Sequence, residues 1–189
     1  MMSEPEGILV IISAPSGTGK GTVIDELLKR RPDFVFSVSA TTRAPRPGET
    51  DGVAYSFVTH ERFREMIVDD MFLEYAEYVG NYYGTPAGPV DDWLRGGKTV
   101  ILDVEVQGAK KVMAKKPEAV TIFIVPPDMT ELENRLRGRA TDTEEKLGAR
   151  LMRARQELLE KSHYKHVVVN DNVSRAAGEI LEIIVRCNS

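Results

Sequence analysis

Residues 8–22 read ILVIISAPSGTGKGT, an apolar run, then a glycine-spaced turn, then a lysine that opens a helical pattern. Ile8 to Ile12 are all β-branched or leucine, which predicts a strand buried on both faces, as a parallel sheet requires. Ser13 to Gly19 carries too much Gly, Pro and Ser to continue that strand. From Lys20 onward Val23, Ile24, Leu27 and Leu28 recur at helical spacing among Asp25, Glu26, Lys29, Arg30 and Arg31, so a helix follows. In a strand, tight loop and helix of this kind, backbone N–H groups point inward and cradle phosphates. The helix N-terminus adds positive potential, and Lys20 reaches the outermost phosphates.

The loop departs from the strict G-x-x-x-x-G-K-[ST] pattern twice. Ala14 stands at the first glycine, and Gly21 stands where a Mg²⁺-binding hydroxyl is expected. Alanine keeps the turn if its φ stays negative. Gly21 moves the hydroxyl to Thr22, so either Thr22 orders the metal indirectly or waters fill that ligand position, which Mg²⁺ tolerates. The bland reading, glycines used for geometry alone, does not account for a lysine in the first helical turn after a buried strand.

The 189 residues suffice for one domain with a real core, with room for inserted subdomains. With 25 basic and 29 acidic residues the net charge is -4, which argues against a nucleic-acid or membrane-surface binder and makes any anion site local. Cys187 is the sole cysteine, so no intramolecular disulfide forms and a reducing compartment fits. The short acidic start MMSEPEG does not read as a signal peptide and no apolar run reaches the ~18 residues of a membrane span, so a soluble cytoplasmic chain is expected.

Later apolar runs, Thr99 to Val104, Val120 to Val125 and Val167 to Asn170, alternate with charged helical patterns, predicting a parallel sheet with helices on both faces. Phe34 to Gly97 differs: runs at Phe34 to Ser39, Val53 to Val58 and Phe72 to Val79 surround one helix, Glu61 to Asp69. This reads as a mixed insertion carrying a second substrate that faces the phosphate loop.

Several stretches admit two readings. SATTRAPRPGET, Ser39 to Thr50, is a proline-stiffened loop whose Arg43 and Arg46 either lie solvated or grip a phosphate bidentately. GNYYGT, Gly80 to Thr85, reads as a turn whose Tyr83, with Tyr55, either packs or donates to the same phosphate. Glu74 and Glu77 fit strand alternation equally well, each facing solvent or a site. Pro89 suits the first turn of the helix carrying Trp93, a packing residue. Asp103, ending its strand before Glu105, either supports Mg²⁺ or caps the helix beginning near Gln107. Glu131 to Arg155 forms two helices broken at Gly138, the second started by Thr141 or Thr143. Its Arg135, Arg139 and Arg150 suit either a solvated hairpin or a mobile lid that brings positive charge to a transferring phosphate. His163 and His166 need no role beyond packing or capping, and a buried strand ends at Asn170 before a last helix, Ala176 to Val185.

Taken in order, SAPSGTGKGT, SATTRAPRPGE, GNYYGT, ILDVEVQGA, RLRGR and VVVND resemble the guanylate kinases, P-loop nucleoside monophosphate kinases, over essentially the whole chain. The resemblance implies an α/β P-loop NTPase three-layer core with a parallel sheet, an inserted mixed α/β GMP-binding subdomain and a helical lid. It divides the chain into core (1–36, 89–130 and 158–189), GMP-binding subdomain (37–88) and lid (131–157). It implies transfer of the ATP γ-phosphate to GMP with Mg²⁺, giving ADP and GDP in purine metabolism, with no nucleic-acid or membrane partner and no protein partner predictable.

By position, Ala14, Pro15, Ser16, Gly17, Thr18, Gly19, Lys20, Gly21 and Thr22 match the ATP loop, and Asn170 a contact at its adenine end. Arg43, Arg46, Tyr55 and Tyr83 match the grip on the GMP phosphate. Ser39, Glu74, Thr85 and Glu105 match the residues reading guanine, whose N1 and N2 donors suit carboxylates and whose O6 suits hydroxyls. Glu105 is longer than the aspartate usual there. Arg139 and Arg150 match lid arginines, Asp103 the metal-supporting acid, with Lys20, Arg43, Arg139 and Arg150 as catalytic cations. A silent binding module of the same fold, or a kinase acting on AMP or a ribose phosphate, stand as alternatives.

Overall fold

The computed structural model describes residues 6–138 and 144–188. Arg139, Thr141 and Thr143 lie outside the described residues. A five-stranded parallel sheet forms the base, in the order β2 (Val35–Phe36), β7 (Thr99–Asp103), β1 (Ile8–Ser13), β8 (Val120–Val125) and β9 (His166–Val169). Because side chains alternate along a strand, β1 divides between two cores. Val10 and Ile12 pack with α1 (Lys20–Arg30) and α7 (Val173–Cys187) on one face, through Val23, Leu27 and Ile180. Leu9 and Ile11 pack on the other face with α3 (Ala87–Arg95) and α4 (Val106–Lys115), through Val90, Val106 and Val112. A strand that must serve both layers has no polar side, which is why its run is uninterrupted.

A smaller four-stranded sheet, in the order β4 (Ser56–Phe57), β3 (Ala40–Thr41), β6 (Asn81–Pro86) and β5 (Phe72–Tyr78), is mixed. Its core is aromatic: Phe63 of α2 (His60–Val68) stacks on Phe72 and Tyr82, at centroid distances of 4.4 and 5.3 Å. Thr59 caps α2 by accepting from the Arg62 N–H. Two lysines of α4 tie this sheet to the base: Lys111 donates to the Tyr75 carbonyl at 2.7 Å and Lys115 to that of Phe72 at 2.8 Å. A third unit pairs α5 (Met129–Arg137), capped by Asp128 and stopped at Gly138, with α6 (Glu144–Leu159) around Leu132, Leu136, Leu147 and Ala154. No described helix is long and apolar enough to cross a membrane.

Four readings of the sequence change. Phe34 to Ser39 is not one strand: Val35–Phe36 extends the parallel sheet beside β7, and the chain then crosses to the small sheet at Ala40. Within Val53 to Val58 only Ser56–Phe57 forms a strand, with Tyr55 in an isolated bridge to Asp51. GNYYGT is not a turn; the reversal takes Val79 and Gly80, at φ 49° and 72°, and Asn81–Pro86 continues as a strand. Two adjacent left-handed residues make a tight hairpin, so the aromatics that follow can pair at once. Val167 to Asn170 is not buried throughout: β9 is an edge strand whose Val168 meets α7, while Val167 and Val169, 43% and 37% exposed, look outward.

Phe63→Ala would remove the ring on which the small sheet is stacked. We expect a loss of roughly 3–5 kcal/mol, measured by urea unfolding.

Candidate active site

The loop after β1 is shaped by glycines for two reasons at once. Gly17 and Gly19 have φ 89° and 88°, and a Cβ there would lie 2.6 Å from Leu136 Cδ2 and 2.8 Å from Asn170 Nδ2. Ala14 is buried and has no positive φ, so the turn accepts it as the sequence anticipated. Gly21 meets nothing within 4 Å, so its lack of a side chain is not imposed by crowding. Helix α1 has no side-chain cap and no acid in its first turn, which leaves its leading N–H groups and its positive end for an external anion.

Lys20 opens this helix and reaches across to the end of β7. It forms an ion pair with Asp103 and donates to the Val104 carbonyl at 3.2 Å. Strand pairing makes this possible, since Ile12 of β1 stands opposite Asp103. Asp103 therefore does not cap α4, whose N-cap residue is Glu105. From behind, the Thr18 carbonyl accepts from Asn170 Nδ2 at 2.8 Å and Arg135 Nη1 at 3.1 Å, and Arg135 also bonds the Asn170 carbonyl. Asn170 is 2% exposed and supports the loop from beneath, while its Oδ1 has no hydrogen-bond partner among the described residues. Arg135, grouped with the lid cations in the sequence, gives Nη1 and Nη2 to that support and Nε to Glu131 at 2.8 Å.

A cleft of about 820 Å³ lies over the loop, lined by Pro15 to Gly17, Gly19 to Thr22 and, from α6, Lys146, Arg150 and Arg153. Arg150 Nη2 donates to Ser16 Oγ at 2.9 Å, so α6 touches the loop. Lys146 and Arg153 escaped the sequence reading, although with Arg150 and Glu157 they recur at helical spacing and mark one face of α6. Glu105, expected at the base, is highly exposed and pairs with Arg153 at 2.9 Å, at the junction of the two clefts.

The second cleft, about 410 Å³, is lined by Ser39, Tyr55, Glu74, Tyr78, Tyr83, Glu105 and Gly108, and shares Lys20, Tyr78 and Glu105 with the first. At its floor Glu74 is 9% exposed, whereas Glu77 is exposed. Strand alternation separates them: pairing is regular from Glu74 to Tyr78, so Glu74 shares a face with Ala76 and Tyr78, which line the same cleft, and Glu77, three residues on, falls on the other face. Thr85, 2% exposed, donates its hydroxyl to Glu74 Oε1 at 2.9 Å. In this arrangement its proton is directed at the carboxylate, so Thr85 orients Glu74. The carboxylate also lies against α4, where a Cβ on Gly108 would be 2.6 Å from Glu74 Oε2. Burial pushes the Glu74 pKa up, against the opposing pull of the Thr85 hydrogen bond and Lys111, with Glu105 adding to the rise.

At the open end Arg43 sits 5.3 Å from the centre of the Tyr55 ring, and Tyr55 meets Tyr83 edge-on with centroids 6.0 Å apart. These three converge as anticipated, and burial raises the Tyr55 pKa. Arg46 is exposed and lines neither cleft. His163 pairs with Glu160 and His166 opens β9, both away from the clefts.

A parallel sheet, a glycine loop leading into an uncapped helix, and a second cleft with a buried carboxylate define a P-loop α/β protein with two adjoining clefts. The family model described as guanylate kinase matches residues 6–186. Curated guanylate kinases of Streptococcus thermophilus and Synechocystis are 51% and 46% identical, over 97% and 95% of this chain and 88% and 94% of theirs. The crystal structure of guanylate kinase from Anaplasma phagocytophilum is 35% identical with a TM-score of 0.77, covering 98% of this chain and 88% of that one. The chain belongs to the guanylate kinase family.

Because the Glu74 pKa is raised in the folded state, the native protein binds that proton more tightly than the unfolded chain. The associated stability is complete below the ordinary Glu range and is lost as pH rises through the raised value. Glu74→Gln should therefore melt above the wild type at neutral pH, with the gap closing in acid, as scanning calorimetry would show. The same variant should lose affinity for guanine nucleotide.

Proposed function

We propose that this chain transfers the γ-phosphate of ATP to GMP, giving ADP and GDP. The observation that carries this reading is the position of Lys20 where the phosphate-loop cleft and the Glu74 pocket meet. We assign the first cleft to ATP and the second to GMP, within a core of residues 1–36, 89–130 and 158–189, a GMP-binding part of 37–88 and a lid of 131–157. Glu74, held by Thr85, accepts from the N1 and N2 donors of guanine, and Ser39 lies in the same pocket. Adenine lacks the N1 donor and would leave a buried carboxylate unpaired, which disfavours AMP. Arg43, Tyr55 and Tyr83 hold the GMP phosphate at the mouth, with Arg46 reaching in from its exposed position.

Phosphoryl transfer needs alignment and charge neutralisation more than a nucleophilic side chain. A GMP phosphate oxygen attacks the γ-phosphorus, the new P–O bond forms as the β–γ bridging bond breaks, and ADP leaves with the electron pair. Lys20 exchanges its contact with Asp103 for the phosphates, and Arg150, joined by Arg139, brings positive charge from the lid. Closure of the lid over both clefts would exclude water as a competing acceptor.

Among the described residues no group of three His, Cys, Asp or Glu side chains converges to hold a metal unaided. A single carboxylate at Asp103 and a hydroxyl at the exposed Thr22 fit Mg²⁺, which takes few protein ligands beside phosphates and water. Bound there, it would neutralise charge on the β- and γ-phosphates. With ATP and GMP as substrates, a cytoplasmic place in purine nucleotide metabolism follows.

A coupled ADP-release assay with ATP·Mg²⁺ and GMP, AMP, CMP or UMP tests this reading. Turnover should be confined to GMP, and activity with AMP alone, or none, would overturn it. Lys20→Ala should cut kcat by about two orders of magnitude or more while GMP binding, followed by calorimetry, stays near wild type.

A further inference from the structure

Glu49 sits at the end of the Arg43 loop, outside both clefts, and its carboxylate is saturated by that loop. Its two oxygens accept from Arg43 Nη1 and Nη2, each at 2.9 Å, and Oε2 accepts in addition from the Arg46 main-chain N–H at 2.7 Å. The Glu49 N–H returns a bond to the Arg46 carbonyl at 3.0 Å, closing the turn. Arg43 Nη1 spends its other proton on the Ala44 carbonyl at 2.7 Å. A guanidinium carries five N–H bonds in a fixed plane. Glu49 and Ala44 consume three of them, all on the Nη1 side and the tip. The two that remain, Nε–H and the outer Nη2–H, point along one edge and form a side-on fork of the kind that takes a phosphate bidentately.

The plane itself is fixed, since the guanidinium lies 5.3 and 5.8 Å from the Tyr55 and Phe57 ring centres. Beyond the hydrogen bond to Glu49, Tyr83 lies close enough to Arg43 to help raise its pKa, a contact that a phosphate on the remaining donors would join or replace. Hydrogen bonding from Arg43, then from the Arg46 N–H, holds the Glu49 carboxyl below its usual range, so the pair is ionised at neutral pH. An arginine on a proline-rich loop has several rotatable bonds, and ordering it on ligand binding costs affinity. A partner that orders it in advance removes that cost.

We propose that Glu49 is a positioning residue for the acceptor: it occupies one edge of Arg43 permanently, so that the other edge is presented to the phosphate of GMP. The opposite role is also chemically open, with Glu49 as a placeholder that the phosphate must displace, and the two predict opposite signs. This inference rests on the assignment of the second cleft to GMP, which wild-type turnover of GMP tests separately.

The experiment compares wild type and Glu49→Gln for KM of GMP, KM of ATP, and inhibition by guanosine, which has the base but no phosphate. Positioning predicts a KM for GMP raised about tenfold or more, with the ATP and guanosine constants within about twofold of wild type. An unchanged or lowered KM for GMP overturns it, the latter in favour of a placeholder. Equal weakening of GMP and guanosine also overturns it, by showing a general distortion of the pocket. Should the Gln variant fail to fold, shown by lost ATP binding, Glu49→Asp serves for the same comparison. That variant keeps the charge and withdraws the fork's partner by one methylene, and the same outcomes decide.

Discussion

The bond between Lys20 and the end of β7 is the interaction on which the arrangement turns. It exists because β1 and β7 are parallel neighbours in a register that puts Ile12 beside Asp103, and because the glycine loop returns the chain so that α1 starts over the same strand ends. On the proposed assignment, the groups that bind phosphate are then all referred to one ammonium group. The loop supplies N–H groups on one side of it, and the small sheet brings Arg43, Tyr55 and Tyr83 to the other. A shift of one residue in the β1–β7 pairing would separate the two halves of the site, and the two hydrophobic layers on β1 forbid that shift by fixing which side chains face each layer.

The second constraint is a burial that opposes stability. Glu74 is an ionisable group buried at the floor of its cleft, given one hydrogen bond by Thr85 and lying close against Gly108 of α4, where a Cβ would meet its carboxylate. Its raised pKa measures the cost. Such a cost is retained at binding sites because a carboxylate short of partners discriminates strongly between ligands that can and cannot supply donors.

The lid joins these parts through polar contacts more than through packing. Its two helices share their own small apolar cluster, while Arg135 grips the loop from beneath, Arg150 touches Ser16 and Arg153 meets Glu105. An element anchored by charged side chains at partly exposed positions can exchange those partners for nucleotide phosphates without unpacking a core. Movement of α6 against a fixed α5 suits that exchange.

The sequence by itself determined the parallel base, the phosphate loop and the helical lid pattern, because each is written locally: an unbroken apolar run, glycines before a lysine, and charges at helical spacing. It also located the arginine loop, whose prolines and paired cations are contiguous. It could not divide Phe34 to Ser39 between two sheets or find the strand at Asn81, since strand pairing depends on partners far along the chain. Alternation puts Glu74 and Glu77 on opposite faces of β5, but which face meets the cleft depends on how the small sheet sits against α4, and that is not written locally. Tertiary structure alone decided that Asn170 and Arg135 support the loop from behind, that Thr85 serves Glu74, and that Glu49 holds Arg43. In each case the side chain has several chemically possible partners, and only the packed fold, by bringing one of them within hydrogen-bond distance, selects which.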